Sequence, residues 1–321
     1  MQPLLSLIVL GFRNFDLTTR VCLESLVPWL DDPAIEVLVI DNGSSDGSAQ
    51  KTTSWCAAHP QVKCLLSDTN RGFAGGMNWG AERARGQWLL LINNDTVFPK
   101  NALDALRRVL HEVPPDVAML GPVTNVAGNG QRLWQPGATH EQWLQIGEWL
   151  HDHPSRQLMP AYRCDFFCIA IRRDVWNELG GLDPAFGLGY YEDFDFSLRL
   201  AQAGYRQLIT EDVFVLHLGS ATFKTSNSAK ALMKRNKGLL RIKHPEARFL
   251  HTRLGNLAVL QAYMELKEAG QWTPALEARR QLRIGALEGD APRSFFKRWF
   301  WKRKTARFRN EKPSGAAQSA S

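Results

Sequence analysis

The chain has 321 residues, of which 44% are hydrophobic and 22% charged. That balance suits a soluble globular protein of one large domain with an appendage, or of two modest domains, and excludes disordered, collagen-like and disulfide-scaffold classes. The net charge is +7, and residues 290–312 hold nine Lys/Arg against two Asp/Glu, so the preceding 289 residues are neutral and the basicity belongs to the tail.

The opening MQPLLSLIVLGF lacks a basic segment and a small-residue cleavage site, so it reads as a first strand and not as a signal peptide. No apolar stretch reaches the roughly 18 residues needed to cross a bilayer. Further apolar runs of strand length lie at 35–40, 62–66, 88–92 and 117–120, with helical patterns at 18–30, 48–58, 76–85 and 101–113 between them. Such alternation predicts an α/β fold with a mainly parallel central sheet flanked by helices, whose ligands bind beyond the carboxyl ends of the strands. Residues 125–160, rich in Gly, Pro, Trp and His, read as a long loop or insertion. A strand at 166–171 leads through a short helix into GGLDPAFGLGYY and EDFDFSLRLAQAGYR, and helical patterns at 230–243 and 254–269 follow. The expected division is a main α/β domain over 1–226, with ligand binding in its first half and a second binding side in its second. A helical extension follows over 227–289, then a basic aromatic tail over 290–321, membrane-binding or partly disordered.

Cys22, Cys56, Cys64, Cys164 and Cys168 are an odd, scattered set without paired metal spacing, which points to reduced thiols in a cytosolic protein, with Cys164 and Cys168 as small core residues. The sequons at Asn42 and Asn94 fall inside the segments that carry the chemistry, where a glycan would obstruct it.

Polar residues cluster at several strand ends. Asp41 and Asp46 bracket the DNGSSDGS turn, where carboxylates can accept hydrogen bonds from a base or ribose, or simply shape the turn and cap the next helix. Asn93, Asn94 and Asp95 interrupt an apolar run; Asp95 can ligate a divalent cation between phosphates, or the three can make an ordinary strand-to-helix turn. Glu192, Asp193 and Asp195 put three carboxylates at a helix start, which suits either capping or a general base. Tyr190 and Tyr191 offer rings for a sugar, and His217 ends a strand-like run, where a lone His is more often structural.

Taken in order, the acidic strand-end turn, NRGFAGGMN, NND, the Gly-rich approach to EDFD and the isolated His resemble family 2 glycosyltransferases of the GT-A fold, nearest the bacterial rhamnosyltransferase-like branch, over residues 4–224. The resemblance implies that Asp41 and, more weakly, Asp46 hold the nucleoside, and that Arg71, Asn78, Asn93 and Asn94 line the nucleotide-sugar. It also implies that Asp95 and His217 bind Mg²⁺ or Mn²⁺, that Asp193 is the catalytic base, and that Glu192 and Asp195, with Tyr190 and Tyr191, orient it or the acceptor. A nucleotide-sugar already carries a good leaving group, so one cation and one base suffice, and direct displacement inverts the anomeric centre. A glycosidase would need a flanking acid as well. The implied donor is UDP- or dTDP-linked, the acceptor a glycan or lipid-linked glycan in bacterial surface polysaccharide assembly.

Two other readings stay open. A nucleotidyltransferase making nucleotide-sugars would want a basic Gly-rich loop after the first strand, where LGFRNFD has only Gly11 and Arg13. A degenerate sugar-binding protein would not need Asp95 and Asp193. In the tail, SFFKRWFWKRKTARFRN mixes large rings with dense positive charge, which fits an anionic membrane surface better than nucleic acid. The enzyme is therefore expected in the cytoplasm, peripherally attached to the inner face of the membrane, unless the tail packs its rings on the catalytic domain.

Overall fold

The computed structural model describes residues 2–219, 227–248 and 253–309. In chain order the elements are β1 (Leu5–Gly11), α1 (Thr19–Leu26), β2 (Ile35–Asp41), α2 (Ser48–Ala57), β3 (Val62–Leu66), α3 (Gly72–Ala81), β4 (Trp88–Asn93), β5 (Thr96–Val97), α4 (Ala102–Glu112) and β6 (Val117–Val123). Then come α5 (His140–Asp152), β7 (Leu158–Pro160), β8 (Cys168–Arg172), α6 (Arg173–Glu178), α7 (Glu192–Gln202), β9 (Arg206–Phe214) and β10 (Leu216–His217). Four helices follow: α8 (Asn227–Lys243), α9 (Arg253–Glu268), α10 (Pro274–Gly289) and α11 (Phe295–Arg309). Among the described residues no helix is long and apolar enough to cross a membrane.

An eight-stranded sheet in the order β3-β2-β1-β4-β8-β6-β9-β7 forms the centre. It is mainly parallel, as expected; β8 runs against β4 and β6, and β7 against β9. Both faces are covered, which explains why the inner strands are apolar without alternation. Leu5, Leu7 and Val9 of β1 pack with Cys22 and Leu23 of α1 and Leu103 and Leu106 of α4, while Ile8 and Leu10 join Met77 of α3 and Phe196 of α7 on the other side. α3 lies close to the sheet because Gly76 and Gly80 leave no Cβ there; one would come within 2.6 Å of Leu10 Cδ1 and 2.5 Å of Ile8 Cγ2 respectively. Cys164 and Cys168 are buried and unbridged, as expected.

Two expectations are corrected. α3 begins at Gly72, before the expected 76, because Gly72 enters the helix through a left-handed turn (φ 70°). The stretch 125–160 is not a structureless loop: α5 occupies its middle, started by a capping box in which Thr139 and Gln142 exchange side-chain and backbone hydrogen bonds.

The C-terminal helices are built into the same body. Leu257, Leu260 and Tyr263 of α9, Leu276 and Leu287 of α10, and Trp301 and Phe308 of α11 belong to the core that covers one face of the sheet. Two buried ion pairs, Arg279 with Asp212 (2.9 Å) and Arg283 with Glu211, tie α10 to β9. The expected domain boundary at 226 and the last residues of the tail, 310–321, lie outside the described residues.

Candidate active site

Strand register assembles the first part of the site. β1 lies between β2 and β4, with Gly11 opposite Asp41 and Leu10 opposite Asn93, so both polar residues flank the carboxyl end of β1 where the strand order reverses. Asp41 is 2% exposed and accepts a hydrogen bond from Ser44 N–H (2.9 Å), which shapes the turn. Asp46 is exposed and accepts from Asn14 N–H (2.9 Å) and Ser48 N–H (3.2 Å); the Asn14 bond chiefly holds its carboxyl below the usual range. Asn94 donates to Thr18 Oγ1 (2.9 Å) and Thr19 Oγ1 (2.8 Å), fastening the strand end to the start of α1.

Asp95 and His217, 122 positions apart in the chain, meet through the small antiparallel ribbon of β5 and β10, where His217 pairs with Thr96. His217 Nε2 stands 3.3 Å from Asp95 Oδ1. Its Nδ1 faces Val126 O at 3.2 Å, and since a carbonyl only accepts, Nδ1 carries the proton. The ring is stacked on Phe167 (centroids 5.4 Å), and Asn125 bonds both His217 N–H and His217 O. Among the described residues no three His, Cys, Asp or Glu side chains gather to hold a cation, so these two form a pair.

The loop NRGFAGGMN meets the Gly-rich loop before α7. Gly72 approaches Gly187 so closely that a Cβ would fall 2.1 Å from Gly187 O. Arg71 donates Nε–H to Ser67 Oγ (2.9 Å) and lies 4.6 Å over the Trp79 ring. Asn78 donates to Leu182 O (2.7 Å) and accepts from Leu182 N–H (2.9 Å), so its amide joins α3 to the Gly-rich loop and positions it.

α7 carries the acids. Tyr190 and Tyr191 precede it with left-handed φ values of 73° and 77°, an unfavourable conformation for ring-bearing residues. Glu192 is buried, and its Oε2 has no hydrogen-bond partner among the described residues; burial, then the charge of Asp193, pushes its pKa up to about 8. Asp193 keeps 19% of its side chain exposed, and its Oδ1 accepts from Phe194 N–H (2.7 Å). Burial raises its pKa and Arg163 draws it back, leaving it at about 6. Asp195 points away, because residues two apart on a helix face nearly opposite sides. Fully buried, it binds Arg199 (2.8 Å), Lys243 (2.6 Å) and His244 (2.9 Å). It anchors α8 to the start of α7.

The sequence reading passed over three residues here. Arg163 lies 4.0 Å from Asp193 Oδ2 and 3.3 Å from Asp165 Oδ1, with its guanidinium 5.4 Å over the Phe194 ring. Asp165 also accepts from Gly128 N–H (2.6 Å). Asn236 of α8, fully buried, directs its amide at Phe186 O (2.7 Å), Gly189 O (2.8 Å) and Tyr190 O (3.0 Å), holding the strained approach to α7. A polar residue on the inner side of an otherwise amphipathic α8 was the available signal for Asn236.

Comparison with known proteins agrees with this geometry. The family model "Glycosyl transferase family 2" matches residues 8–180. The chain is 28% identical over 228 residues to the O-antigen biosynthesis protein RfbC of Myxococcus xanthus, covering 67% of this chain but 17% of that protein. It is 24% identical over 210 residues to the N-acetylglucosaminyl-diphospho-decaprenol L-rhamnosyltransferase of Mycobacterium tuberculosis, covering 57% of this chain and 66% of that one. Among solved structures, the mannosyltransferase PcManGT from Pyrobaculum calidifontis, in complex with GDP-Man and Mn²⁺, superposes with a TM-score of 0.55 at 17% identity, covering 96% of this chain and 83% of that one. The fold is of the GT-A type, with the C-terminal helices added to the sheet.

Proposed function

We propose a function from the premise that this chain belongs to glycosyl transferase family 2: it moves a sugar from a UDP- or dTDP-linked donor to a hydroxyl of a glycan or lipid-linked acceptor, inverting the anomeric centre, in bacterial surface polysaccharide assembly. The observation that carries the reading is the convergence of two sets of groups. Asp41, Asn93 and the Asp95–His217 pair lie at the carboxyl edge of the sheet, and the contact of Gly72 with Gly187 joins that edge to the loop leading into Asp193.

The Asp95–His217 pair fits a divalent cation. A carboxylate and an imidazole nitrogen face each other, and the other ring nitrogen donates to a backbone carbonyl, the usual support of a ligating histidine. Mg²⁺ or Mn²⁺ held there supplies charge neutralisation for the departing diphosphate. Asp193 takes the acceptor hydroxyl proton at Oδ2, since Oδ1 is engaged by Phe194 N–H. With a pKa near 6 it is ionised at neutral pH, while Glu192, near 8, stays largely protonated and adds little negative charge beside it. Asp41, Asn93 and Arg71 line the donor side; Asp46, Asn78 and Asn94 support the loops that carry it. Tyr190 and Tyr191 stand on the acceptor side. The enzyme works peripherally at the inner face of the cytoplasmic membrane.

Incubation with a panel of UDP-, dTDP- and GDP-sugars, an acceptor and Mn²⁺ tests this. Release of nucleoside diphosphate with one donor is expected, and EDTA should abolish it. Asp95→Ala should weaken metal-assisted donor binding in a thermal-shift assay, and His217→Ala should do so less. If, given a nucleoside triphosphate and a sugar 1-phosphate, the protein joins them into a nucleotide-sugar with release of pyrophosphate, and frees no nucleoside diphosphate from any donor, the reading is overturned; full activity in EDTA would remove the metal from it.

A further inference from the structure

α11 has two faces. Trp301, Thr305 and Phe308, four and three residues apart, form one stripe and are buried at 7%, 0% and 1% exposure. Trp301 Nε1–H donates to Leu287 O of α10 (2.8 Å), and Arg280 of α10 donates to Phe308 O (2.7 Å). Phe295, Phe296, Trp299 and Phe300 fall on the other side, 79%, 74%, 46% and 65% exposed. They pack edge to face in two pairs, Phe295 with Phe296 and Trp299 with Phe300. Lys297, Arg298, Lys302, Arg303, Lys304 and Arg307 stand exposed among them, and the helix holds no acidic residue.

Two of the six tail rings thus pack on the body, and four do not. A patch of large rings in water is a liability unless something covers it, and these rings sit inside a concentration of positive charge. We propose that this face of α11 seats on an anionic phospholipid bilayer, with the rings at the headgroup level and the cations on lipid phosphates. The inference rests on the reading of the chain as a transferase working on a lipid-linked acceptor, and it adds which residues make the contact and how they are held. Trp and Phe favour the interface, and Arg and Lys stems can reach from among the rings to the phosphates. Nucleic acid fits less well: stacking bases need open ring faces, whereas Arg303 lies 4.5 Å over Trp299 and the rings meet edge to face. Since α11 is clamped to α10, and α10 to β9, the surface is preformed and the enzyme docks in one orientation.

Truncation is a poor test, because Trp301 and Phe308 belong to the core. The better variant is the full chain with Phe295, Phe296, Trp299 and Phe300 all changed to Ser, compared with wild type by co-sedimentation with phosphatidylcholine vesicles with and without phosphatidylglycerol. Wild type should bind the anionic vesicles, more weakly in high salt, and the variant should bind them about tenfold or more less tightly at an unchanged melting temperature. Trp301→Ala should instead lower the melting temperature. Equal vesicle binding by the four-ring variant and wild type, equal wild-type binding to neutral and anionic vesicles, or tighter binding to a duplex oligonucleotide than to vesicles overturns the proposal. Diphosphate release, read in the same preparations without vesicles, reports on the transferase reading separately. A wild type that binds vesicles through these rings but releases no diphosphate supports the docking face and removes only the transferase reading.

Discussion

Asp193 and Asp195 lie two residues apart on α7, yet one is held near its titration point and the other deep in the ionised range. Among the described residues Asp193 has one cation near it, Arg163 at 4.0 Å, and a pKa raised by burial to about 6. Asp195 is the more buried by side-chain exposure, 0% against 19%, and burial alone would raise it too, but Lys243, His244 and Arg199 outweigh that and hold its carboxyl below the usual range. The supply of cations, more than burial, decides which acid is fixed in charge and which can exchange a proton. One turn of helix therefore holds both an anchor and an acid that titrates near 6.

The sharpest way to break the comparison is to remove the carboxylate at each position. Asp193→Asn should lower turnover by about 10²–10⁴-fold while leaving the melting temperature and donor binding near wild type; near-normal transfer would remove Asp193 from the role of base. Asp195→Ala should act on the fold instead. It takes the carboxylate from buried His244, while Lys243 keeps Asp183 and Arg199 keeps the carbonyls of Leu179 and Gly181, so chemical denaturation should show a loss of about 3 kcal/mol, the lower end for a broken buried pair. Unchanged stability would mean that α8 is held by its other contacts.

Arg163 sharpens the comparison from the side of Asp193. Among the described residues Arg163 lowers the pKa of Asp193 and Asp165 raises it, so removing Arg163 leaves burial and Asp165 to push it up. Arg163→Met should move the acidic limb of the pH–rate profile up by about one pH unit, with activity recovering at higher pH and Arg163→Lys restoring the wild-type limb. A uniform loss at all pH values would make the role structural.

The smallest effect is expected at Glu192. Glu192→Gln copies the protonated form that prevails at neutral pH, so turnover should change about twofold or less. Its folded pKa lies above the ordinary 4.5, so the wild type has this contribution in full below about 4.5 and loses it as pH rises through about 8. The variant has no such loss, and its melting temperature should gain on wild type across that window.

The strands around β1 were legible because parallel strands covered on both faces are continuous apolar runs, and the strand-end acids follow from the same topology. Asp95 and His217 were legible only through the order of the motifs, since residues so far apart are joined by a two-residue ribbon that has no pattern of its own. α5 was obscured by the Gly, Pro and Trp around it, although Thr139 and Gln142 mark its start. The direction of β8 depends on its partners and not on its residues. Arg163, Asp165 and Asn236 reach the site from a loop and a distant helix, and no local spacing announces them. Asp195 stands in the same acidic run as Asp193, and only the fold separates their surroundings.

The clasp between α10 and β9 has a consequence for how the protein is made. Glu211 and Asp212 enter the sheet about seventy positions before Arg283 and Arg279, the residues that neutralise them. Until α10 is made, Asp212 can bond Ser155 and Arg156, but Glu211 and Asp212 lack the two guanidinium partners that α10 brings to β9. The strand that runs on into His217 is thereby completed by a helix about seventy positions later, and a product lacking α10 would leave two adjacent acids of β9 without their cations.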